Sequence, residues 1–205
     1  MKIMHSICII PLIILFSFPW PASPLYSDPS PGDVLQQIIQ NSTFTRVQKP
    51  LIIRTDKETL EYFMEHVEEL VKHGKDFRNK ELIIEAKDNG LYFIQMPQKR
   101  ITGEFYLANR QPHKVIYLGQ GNANTFFDFS GSVVLEIEYR TGKDKTGPYE
   151  KVKTAVHLQF DNTFLAVLAK AASPLLTPQL DKLIARLAAK TKRIVETAYE
   201  TKNIQ

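Results

Sequence analysis

The sequence predicts an α+β fold in which helices lie on one side of a curved antiparallel sheet. Three observations lead to this prediction. Apolar side chains recur at helical spacing in residues 57–73, whereas from residue 81 the period changes to two and turn signals separate the apolar runs. The chain then closes with an amphipathic segment, residues 176–202, that is longer than a closing helix needs to be. Because the strands follow one another directly, they are expected to pair as hairpins.

Residues 1–27 have the pattern of a secretory signal peptide. Lys2 precedes an uncharged run, residues 3–18, and a Pro-rich stretch of small residues follows, with cleavage predicted after Ser27. The alternative is an uncleaved anchor, but a spanning helix needs about 20 apolar residues and prolines shorten this run. We therefore expect an exported protein, periplasmic or extracellular, with no membrane span after cleavage.

Composition restricts the chemistry that the mature chain can carry. Cys8 is the only cysteine and lies within the predicted signal peptide, so neither disulfides nor thiolate metal sites are expected after cleavage. The formal net charge of the whole chain is +4, and no run of five Lys or Arg occurs. This balance argues against nucleic acid as a partner.

The mature chain is expected to form one domain, residues 44–202, after a lead-in. That lead-in, residues 28–43, is a polar Pro-rich stretch followed by a short amphipathic helix. The β-rich segment 44–54 contains Pro50, which predicts an edge strand or a bulge. The next segment, 57–73, is interpreted as a single helix.

After residue 81, apolar and polar residues alternate in the segments ELIIEA, LYFIQM, ITGEFYLA, HKVIYLG, SVVLEIEYR and KVKTAVHLQF. Asn89-Gly90 between the first two is a strong hairpin signal. The segment GQGNAN, residues 119–124, is expected to be a loop, and residues 141–148 a turn-rich connection. The aromatic residues that follow are interpreted as the start of a strand rather than as a lid over a cavity: Phe126, Phe127 and Phe129.

The closing helix is predicted to begin with Thr177 as its cap and Pro178 in its first position. The middle of its apolar stripe consists of small residues: Ala185, Ala188, Ala189 and Thr191. Small residues here either let a sheet pack closely or leave room for a ligand. A membrane surface is the least favoured contact, because the stripe contains neither Trp nor Phe and the sheet needs a cover.

The pattern from about residue 103 to 199 resembles a known superfamily. The segments FSGSVVLEIEYR and KVKTAVHLQFDN, with FLAVLAKAASPLLTPQLDKLIARLAAKTKRIVETA, are similar to the final strands and closing helix of START-like proteins, also called SRPBCC or polyketide-cyclase-like. That superfamily has a helix-grip fold, in which an antiparallel sheet wraps around a long C-terminal helix and encloses a hydrophobic cavity. Its members usually have two short helices where the periodicity of residues 57–73 predicts one.

The resemblance implies a binding module for an apolar ligand such as a lipid, sterol, hopanoid or aromatic polyketide. A cavity would be lined from the sheet and from the closing helix. The candidates on the sheet are Phe105, Leu107, Leu135, Ile137, Val156 and Leu158, and those on the helix are Leu187, Thr191 and Val195.

We assign no catalytic or metal-binding role to the histidines and carboxylates of the chain. His66, Glu69 and His73 share one side of the predicted helix 57–73, but their spacing matches no zinc motif and a solvated face is favoured. His157 is expected on the exposed, polar side of its strand rather than as a general base. We therefore expect no catalytic residue, no metal ligand and no cofactor.

The favoured function is non-catalytic binding or transport of a lipid-like molecule between the sheet and the closing helix. A different lipid-carrying fold, a half-barrel, is the alternative within that class. A polar pair inside the cavity would instead favour an enzyme of the cyclase or aromatase type. The absence of a cavity would favour a protein-interaction domain.

Overall fold

The computed structural model describes residues 30–74, 82–124 and 128–202. The predicted signal peptide lies outside the described residues, as do Phe126 and Phe127. Within the described ranges, no helix combines the length and the apolar character needed to cross a bilayer.

Five helices and eight strands make up the described fold. The helices are α1 (Pro31–Gln40), α2 (Lys57–Glu65), α3 (Glu69–His73), α4 (Thr163–Ala171) and α5 (Ser173–Lys202). The strands are β1 (Phe44–Val47), β2 (Leu51–Ile53), β3 (Ile83–Ala86), β4 (Leu91–Met96), β5 (Ile101–Gln111), β6 (Lys114–Asn124), β7 (Asp128–Asp144) and β8 (Gly147–Phe160).

All eight strands belong to one antiparallel sheet with the order β1-β8-β7-β6-β5-β4-β3. Strands β3 to β8 follow one another in the sheet and pair as successive hairpins. At the edge of the sheet next to β8, β1 and β2 pair with two different parts of β8. Pro50 lies between β1 and β2, where its missing N–H leaves no ladder bond unmade. The predicted α+β fold, a curved antiparallel sheet with a long C-terminal helix, is confirmed.

Helix α1 covers one face of the sheet, which we call the outer face. A capping box between Ser30 and Asp33 begins this helix. Its apolar side packs on the central strands, where Val134 has no exposed surface. The residues of this small core are Leu35, Ile38, Ile116, Leu118 and Val134.

The opposite, inner face carries the main core together with α2, α3 and α5. Ile194 and Val195 of α5 are buried in this core, and Val195 has no exposed surface. Two ties hold α5 to the β1–β2 edge: Arg46 pairs with Asp181, and the Arg54 amide donates to the Glu196 carboxylate at 2.7 Å. These contacts and the main core hold α5 on the inner face of the sheet.

The single helix predicted for residues 57–73 is wrong, because the chain leaves helical geometry at His66 and forms α2 and α3 instead. In a continuous helix the carbonyls of Met64 and Glu65 would accept bonds from amides four residues later. Here the hydroxyls of Tyr117 and Tyr92 donate to those carbonyls. Tyrosines from the sheet thus replace the helical bonds at the point where the helix ends.

Three further boundaries differ from the prediction. Residues 119–124 are not a loop but the second half of β6, and most of residues 141–148 belong to β7 and β8, with a turn only at Lys145 and Thr146. Helix α5 begins at Ser173, so Thr177 lies inside it and its hydroxyl accepts a bond from Arg46. Pro178 is also internal, which leaves one carbonyl of the preceding turn without its helical donor.

Candidate functional site

The inner face of the sheet contains a patch without side chains, which we call the glycine floor: Gly103, Gly119, Gly121 and Gly131. Gly103 lies opposite Gly121 in the strand register, and Gly121 lies opposite Gly131, so the patch crosses three adjacent strands. A Cβ added at Gly119 would meet Phe105 and Val133, whose side chains point to the same face. The glycine floor is therefore on the side that faces α5 and not on the side that α1 covers.

Strand curvature explains why glycine occupies these positions. A Cβ added at Gly103 or Gly121 would lie 2.6 Å from a carbonyl oxygen of the neighbouring strand, and at Gly131 the distance would be 2.4 Å. Contacts of that length are sterically excluded, so only glycine permits the local bend.

The six sheet residues predicted to line a cavity all face inward beside this patch. The register places Val156, Leu135 and Tyr117 in one row and Leu158, Val133 and Gly119 in the next. All six candidates are partly exposed to solvent: Phe105, Leu107, Leu135, Ile137, Val156 and Leu158. On α5, Leu187 and Thr191 are partly exposed, whereas Val195 is fully buried in the core.

The face of a sheet that carries the main core is ordinarily the more buried one. On β7 of this protein, the outer-face residue Val134 is more buried than its inner-face neighbours. Val134, whose side chain points to the outer face, has no exposed surface, while its neighbours Val133 and Leu135 on the inner face are partly exposed. Inner-face residues under α2 behave differently, since Val115 and Tyr117 are 2% and 4% exposed. The inner face thus has one closed part under α2 and, beside the glycine floor, side chains such as Phe105 and Leu135 that pack against the main core while staying partly exposed.

An aromatic row borders the glycine floor. The ring of Phe105 stacks on Tyr92 with centroids 5.2 Å apart and meets Tyr117 edge-on at 6.1 Å. Burial raises the pKa of the Tyr117 hydroxyl, and burial also raises that of Tyr92. Because both hydroxyls donate to backbone carbonyls of the α2 end, these tyrosines fix the helix against the sheet and are not proton donors near neutral pH.

The polar groups of the inner face gather at the far end, beside α2. Tyr139 donates to Glu61, and Arg110 pairs with Glu61 and Glu65. Burial, followed by the bond to Glu61, raises the pKa of Tyr139 to about 12. Each of these groups is engaged with another residue of the same cluster, as expected for a structural network that holds α2 on the sheet.

Glu150 is the one carboxyl of this region with no exposed surface. Thr141 donates to one of its oxygens at 2.8 Å, while the other oxygen has no partner among the described residues. Burial raises the pKa of Glu150 above its ordinary value of 4.5. A group whose pKa is raised by folding stabilises the fold below its unfolded pKa, and that contribution is lost as pH rises through the folded pKa.

We expect the substitution Glu150→Gln to change the pH dependence of stability. Near pH 4 the two proteins should have similar free energies of unfolding, and at pH 8 the variant should be more stable by about 1 kcal/mol, because its amide carries no buried charge. Urea unfolding at both pH values measures the difference. Glu200→Gln, at an exposed position of α5, is the control. Parallel pH profiles for wild type and the Glu150 variant would contradict this account.

His157 differs from the prediction of an exposed histidine. It faces outward as the alternation predicts, but its residue exposure is only 8%. Its ring lies between Thr45 on one neighbouring strand and Glu136 on the other, at 3.2 and 3.3 Å. Burial alone would raise the pKa of Glu136, but Lys114 at 2.8 Å and His157 lower it overall. This cluster lies on the face opposite the glycine floor.

The histidines considered for a metal site lie apart from the inner face. His66 ends α2, and His73 in α3 contacts the Glu69 carboxylate at 3.3 Å. Their side chains are about half exposed. No group of three metal-ligating side chains occurs within the described ranges.

Two of the depressions on the described surface adjoin the sheet. One, of about 360 Å³, lies on the outer face beyond α1. Gly103, Gly121 and Gly131 also line this depression. The side chains around it are mainly polar: Thr102, Glu104, Gln120, Asn122, Ser130 and Asp161, with Phe93. Such a lining is typical of a solvated sheet face, whereas small-molecule sites are predominantly apolar.

The second depression lies between the β3–β4 edge and the middle of α5, and we call it the cationic cleft. Its volume is about 40 Å³, enough for only a few water molecules. It is lined by four apolar residues, three cations and one amide: Leu82, Met96, Leu183 and Leu187, then Lys99, Arg186 and Lys190, with Gln98. Beneath residues 183–190 the described side chains therefore leave little room between helix and sheet.

The small residues of α5 only partly face the sheet. Ala185 and Ala189 are exposed, while Ala188 and Thr191 are partly exposed. The sequence interpretation missed the glycines of the sheet, which lie together on its inner face. Strand alternation combined with hairpin register could have revealed them, since Gly119 and Gly121 occupy alternate positions of one strand.

Comparison with known proteins supports the fold and leaves the ligand open. No protein-family model matches this chain, and no curated protein does. A conserved protein from Geobacillus kaustophilus is similar with a TM-score of 0.51 and 10% identity, over 76% of this chain and 96% of its own. The di-domain ARO/CYC BexL from the BE-7585A biosynthetic pathway is similar over 82% of this chain and 54% of its own, with a TM-score of 0.42 and 13% identity.

Proposed function

We propose that this protein is an exported START-like binding protein that holds an apolar small molecule, such as a lipid, non-covalently on the glycine floor. The ligand lies on the inner face of the sheet, against the partly exposed residues Phe105, Leu135 and Leu158. Binding, and not a chemical reaction, is the proposed activity.

The observation that carries this proposal is the reversed burial on the central strands. A closed core would cover the inner face of the central strands at least as well as the outer face, since apolar side chains gain free energy when they leave water. Here Val134 is fully covered on the outer face, while Val133 and Leu135 remain partly exposed beside the glycine floor. A ligand that covers this apolar part would complete its burial.

Binding is favoured over catalysis by the distribution of polar groups. Residues around the glycine floor are apolar, whereas Glu61, Arg110, Tyr139 and Glu150 lie together at the α2 end. An acid–base pair for a cyclase-type reaction would have to lie within hydrogen-bond reach of the bound molecule. The described polar groups of the inner face instead bond to α2 or to each other.

Export is part of the proposal and rests on the sequence pattern of residues 1–27. An apolar ligand is poorly soluble in water, so movement between membranes requires a protein that shields it. A binding protein outside the cytoplasm would supply that shield. N-terminal sequencing of the mature protein from its native compartment tests this part, with the first residue expected at Asp28; an intact Met1 would contradict export by a cleaved signal.

The binding site can be tested by filling the space above the glycine floor. The substitution Val133→Phe places a larger ring beside Gly119, which has no side chain to oppose it. We expect the variant to fold and to retain at least tenfold less ligand, as measured by native mass spectrometry after incubation with a total lipid extract. Ser132→Phe, one residue away on the outer face, is the matched control and should retain ligand as wild type does. Equal retention by both variants, or no retention by wild type, would overturn the proposal.

A further inference from the structure

Helix α4 leaves the sheet at the end where the glycine floor lies. Gly131 of the floor pairs in register with Phe160, the last residue of β8, and α4 begins three residues later at Thr163. The helix contacts β8 and α5. Whatever binds to its exposed side is therefore held near the end of the sheet that carries the glycine floor.

The exposed side of α4 is apolar. Val167 and Leu168 are 60% and 46% exposed, whereas Ala169 is 5% exposed and faces the protein. In a helix that only covers a core, the large aliphatic side chains lie on the buried side and polar ones lie outside. Among the described side chains of α4 this arrangement is reversed.

These exposed side chains form one continuous surface. Ala171, which is also exposed, lies four residues after Val167 and three after Leu168, so the three are neighbours on the helix, and we call them the α4 patch. The other exposed large apolar side chains of the described ranges lie singly on different elements: Val47 on β1, Tyr62 on α2 and Tyr106 on β5. A contiguous apolar surface, unlike single residues, indicates contact with a partner or a membrane.

The charge beside the α4 patch is positive. Lys170 is exposed and lies three residues after Val167, on the same side of the helix. It is the only charged residue between positions 162 and 180. Of the carboxylates that flank this stretch, Asp161 precedes α4, and Asp181 pairs with Arg46. A lysine in this position can lay its methylene groups along the apolar surface while its ammonium group reaches an anion.

We infer that the α4 patch docks reversibly on the surface of an anionic lipid bilayer, with Val167 and Leu168 in the interface and the Lys170 ammonium group among the lipid phosphates. Helices that lie in a membrane interface bury one apolar side and gain affinity from basic residues that meet anionic head groups. The inference goes beyond the proposed function and does not depend on it, because the α4 patch is separate from the ligand site. Docking would bring the end of the sheet that carries the glycine floor close to the bilayer.

Two other occupants fit the α4 patch less well. A stable dimer buries about 800 Å² on each partner, and two large aliphatic side chains supply only a small part of that area. The residues that dominate contacts between proteins are enriched in Trp, Tyr and Arg, whereas Leu and Val are under-represented. A bilayer needs no complementary shape, so a small aliphatic surface with one lysine is sufficient for weak binding.

Co-sedimentation with lipid vesicles tests the charge. The mature protein, with its first residue established by N-terminal sequencing, is mixed with vesicles of phosphatidylcholine, alone or with phosphatidylglycerol. We expect about fivefold stronger partitioning to the anionic vesicles, since one lysine near an anionic surface supplies about that factor. Lys170→Gln should remove most of this preference, whereas Lys145→Gln, at an exposed position of the β7–β8 turn, should leave it unchanged. An equal loss in both variants would contradict docking through α4.

A double variant tests the apolar contact. Val167→Ser with Leu168→Ser should lower partitioning to anionic vesicles about tenfold, because both side chains lose their transfer from water. The matched control is Val47→Ser with Tyr62→Ser, which removes two apolar side chains of similar exposure, 57% and 46%, on other elements. Urea unfolding verifies that both variants fold. Partitioning of the α4 variant equal to that of wild type, or an equal loss in the control, would overturn the docking surface.

Two further results would also overturn this inference. If wild type bound neither kind of vesicle, the docking would be wrong and the proposed function would stand, because ligand retention is measured separately by native mass spectrometry. If light scattering showed a wild-type dimer that Val167→Ser with Leu168→Ser dissociates, the α4 patch would belong to an interface with a second copy of the chain.

Discussion

The substitution Gly131→Ala is expected to lower the free energy of unfolding by about 3 kcal/mol. An added Cβ would lie 2.4 Å from the carbonyl oxygen of Gln159, which belongs to the backbone of the paired strand β8 and cannot turn aside as a side chain could. Either the strands separate or the curvature relaxes, and overpacking of this kind costs about 1–3 kcal/mol. Urea unfolding of the variant measures the loss.

The matched control for this result is Gly32→Ala. Gly32 is in α1, and an added Cβ there meets only the Ser30 side chain at an ordinary 3.6 Å. Alanine is favoured over glycine in a helix by about 0.5–1 kcal/mol, so this variant should be equal to wild type or more stable. If Gly131→Ala were also tolerated, the glycine would not be required by strand curvature.

Helix α5 is expected to divide into a half that stabilises the fold and a half that serves the ligand. Ile194→Ala should cost about 3 kcal/mol of stability, because Ile194 is 6% exposed and its removal leaves a cavity in the main core. Leu183→Ala should cost about 1 kcal/mol, because Leu183 is partly exposed beside the cationic cleft.

Ligand binding should show the opposite order. Leu183→Ala removes part of the apolar lining of the cleft and is expected to weaken ligand retention about threefold, whereas Ile194→Ala, measured at a temperature where it is fully folded, should retain ligand as wild type does. Thr197→Ala, at an exposed position of α5, controls for the helix itself. A larger loss of stability at Leu183 than at Ile194 would mean that the first half of α5 belongs to the closed core.

Local patterns in the sequence predicted the α+β class, the successive strands and which way the side chains of β7 and β8 face. The alternation that assigned Leu135, Ile137, Val156 and Leu158 to one side of the sheet agrees with the strand register. Those assignments depend only on a period of two within each strand, which a short stretch of sequence contains completely. The role of these residues in binding is still a prediction.

Because residues 119–124 were interpreted as a loop, Gly119 and Gly121 were not recognised as part of a strand in the candidate site. Glycine and asparagine are typical of turns, and no local signal distinguishes a loop from a strand that needs glycine at alternate positions. Gly121 becomes informative only because Gly103 and Gly131 lie opposite it, on strands formed by other parts of the chain. The pairing register of the three strands determines that these glycines lie side by side.

Helix α2 ends for a comparable reason. The apolar repeat continues through His66 without interruption, so helical spacing alone predicts one element for residues 57–73. Tyr92 and Tyr117, which come later in the chain, supply the bonds to the last carbonyls of the helix. Their hydroxyls could compete with the helical amides only after the sheet had brought them there.

Strand periodicity, the amphipathic closing segment and the export pattern at residues 1–27 can all be recognised in the chain without its fold, because each depends on neighbours in sequence. The alignment of glycines across three strands, the break in α2 and the cleft between the β3–β4 edge and α5 depend on residues that are distant in sequence. The contacts that form them exist only after the strands have paired in register and α5 has packed on the sheet. For this protein, the elements are therefore local in origin, and the candidate ligand site is a consequence of how they pack.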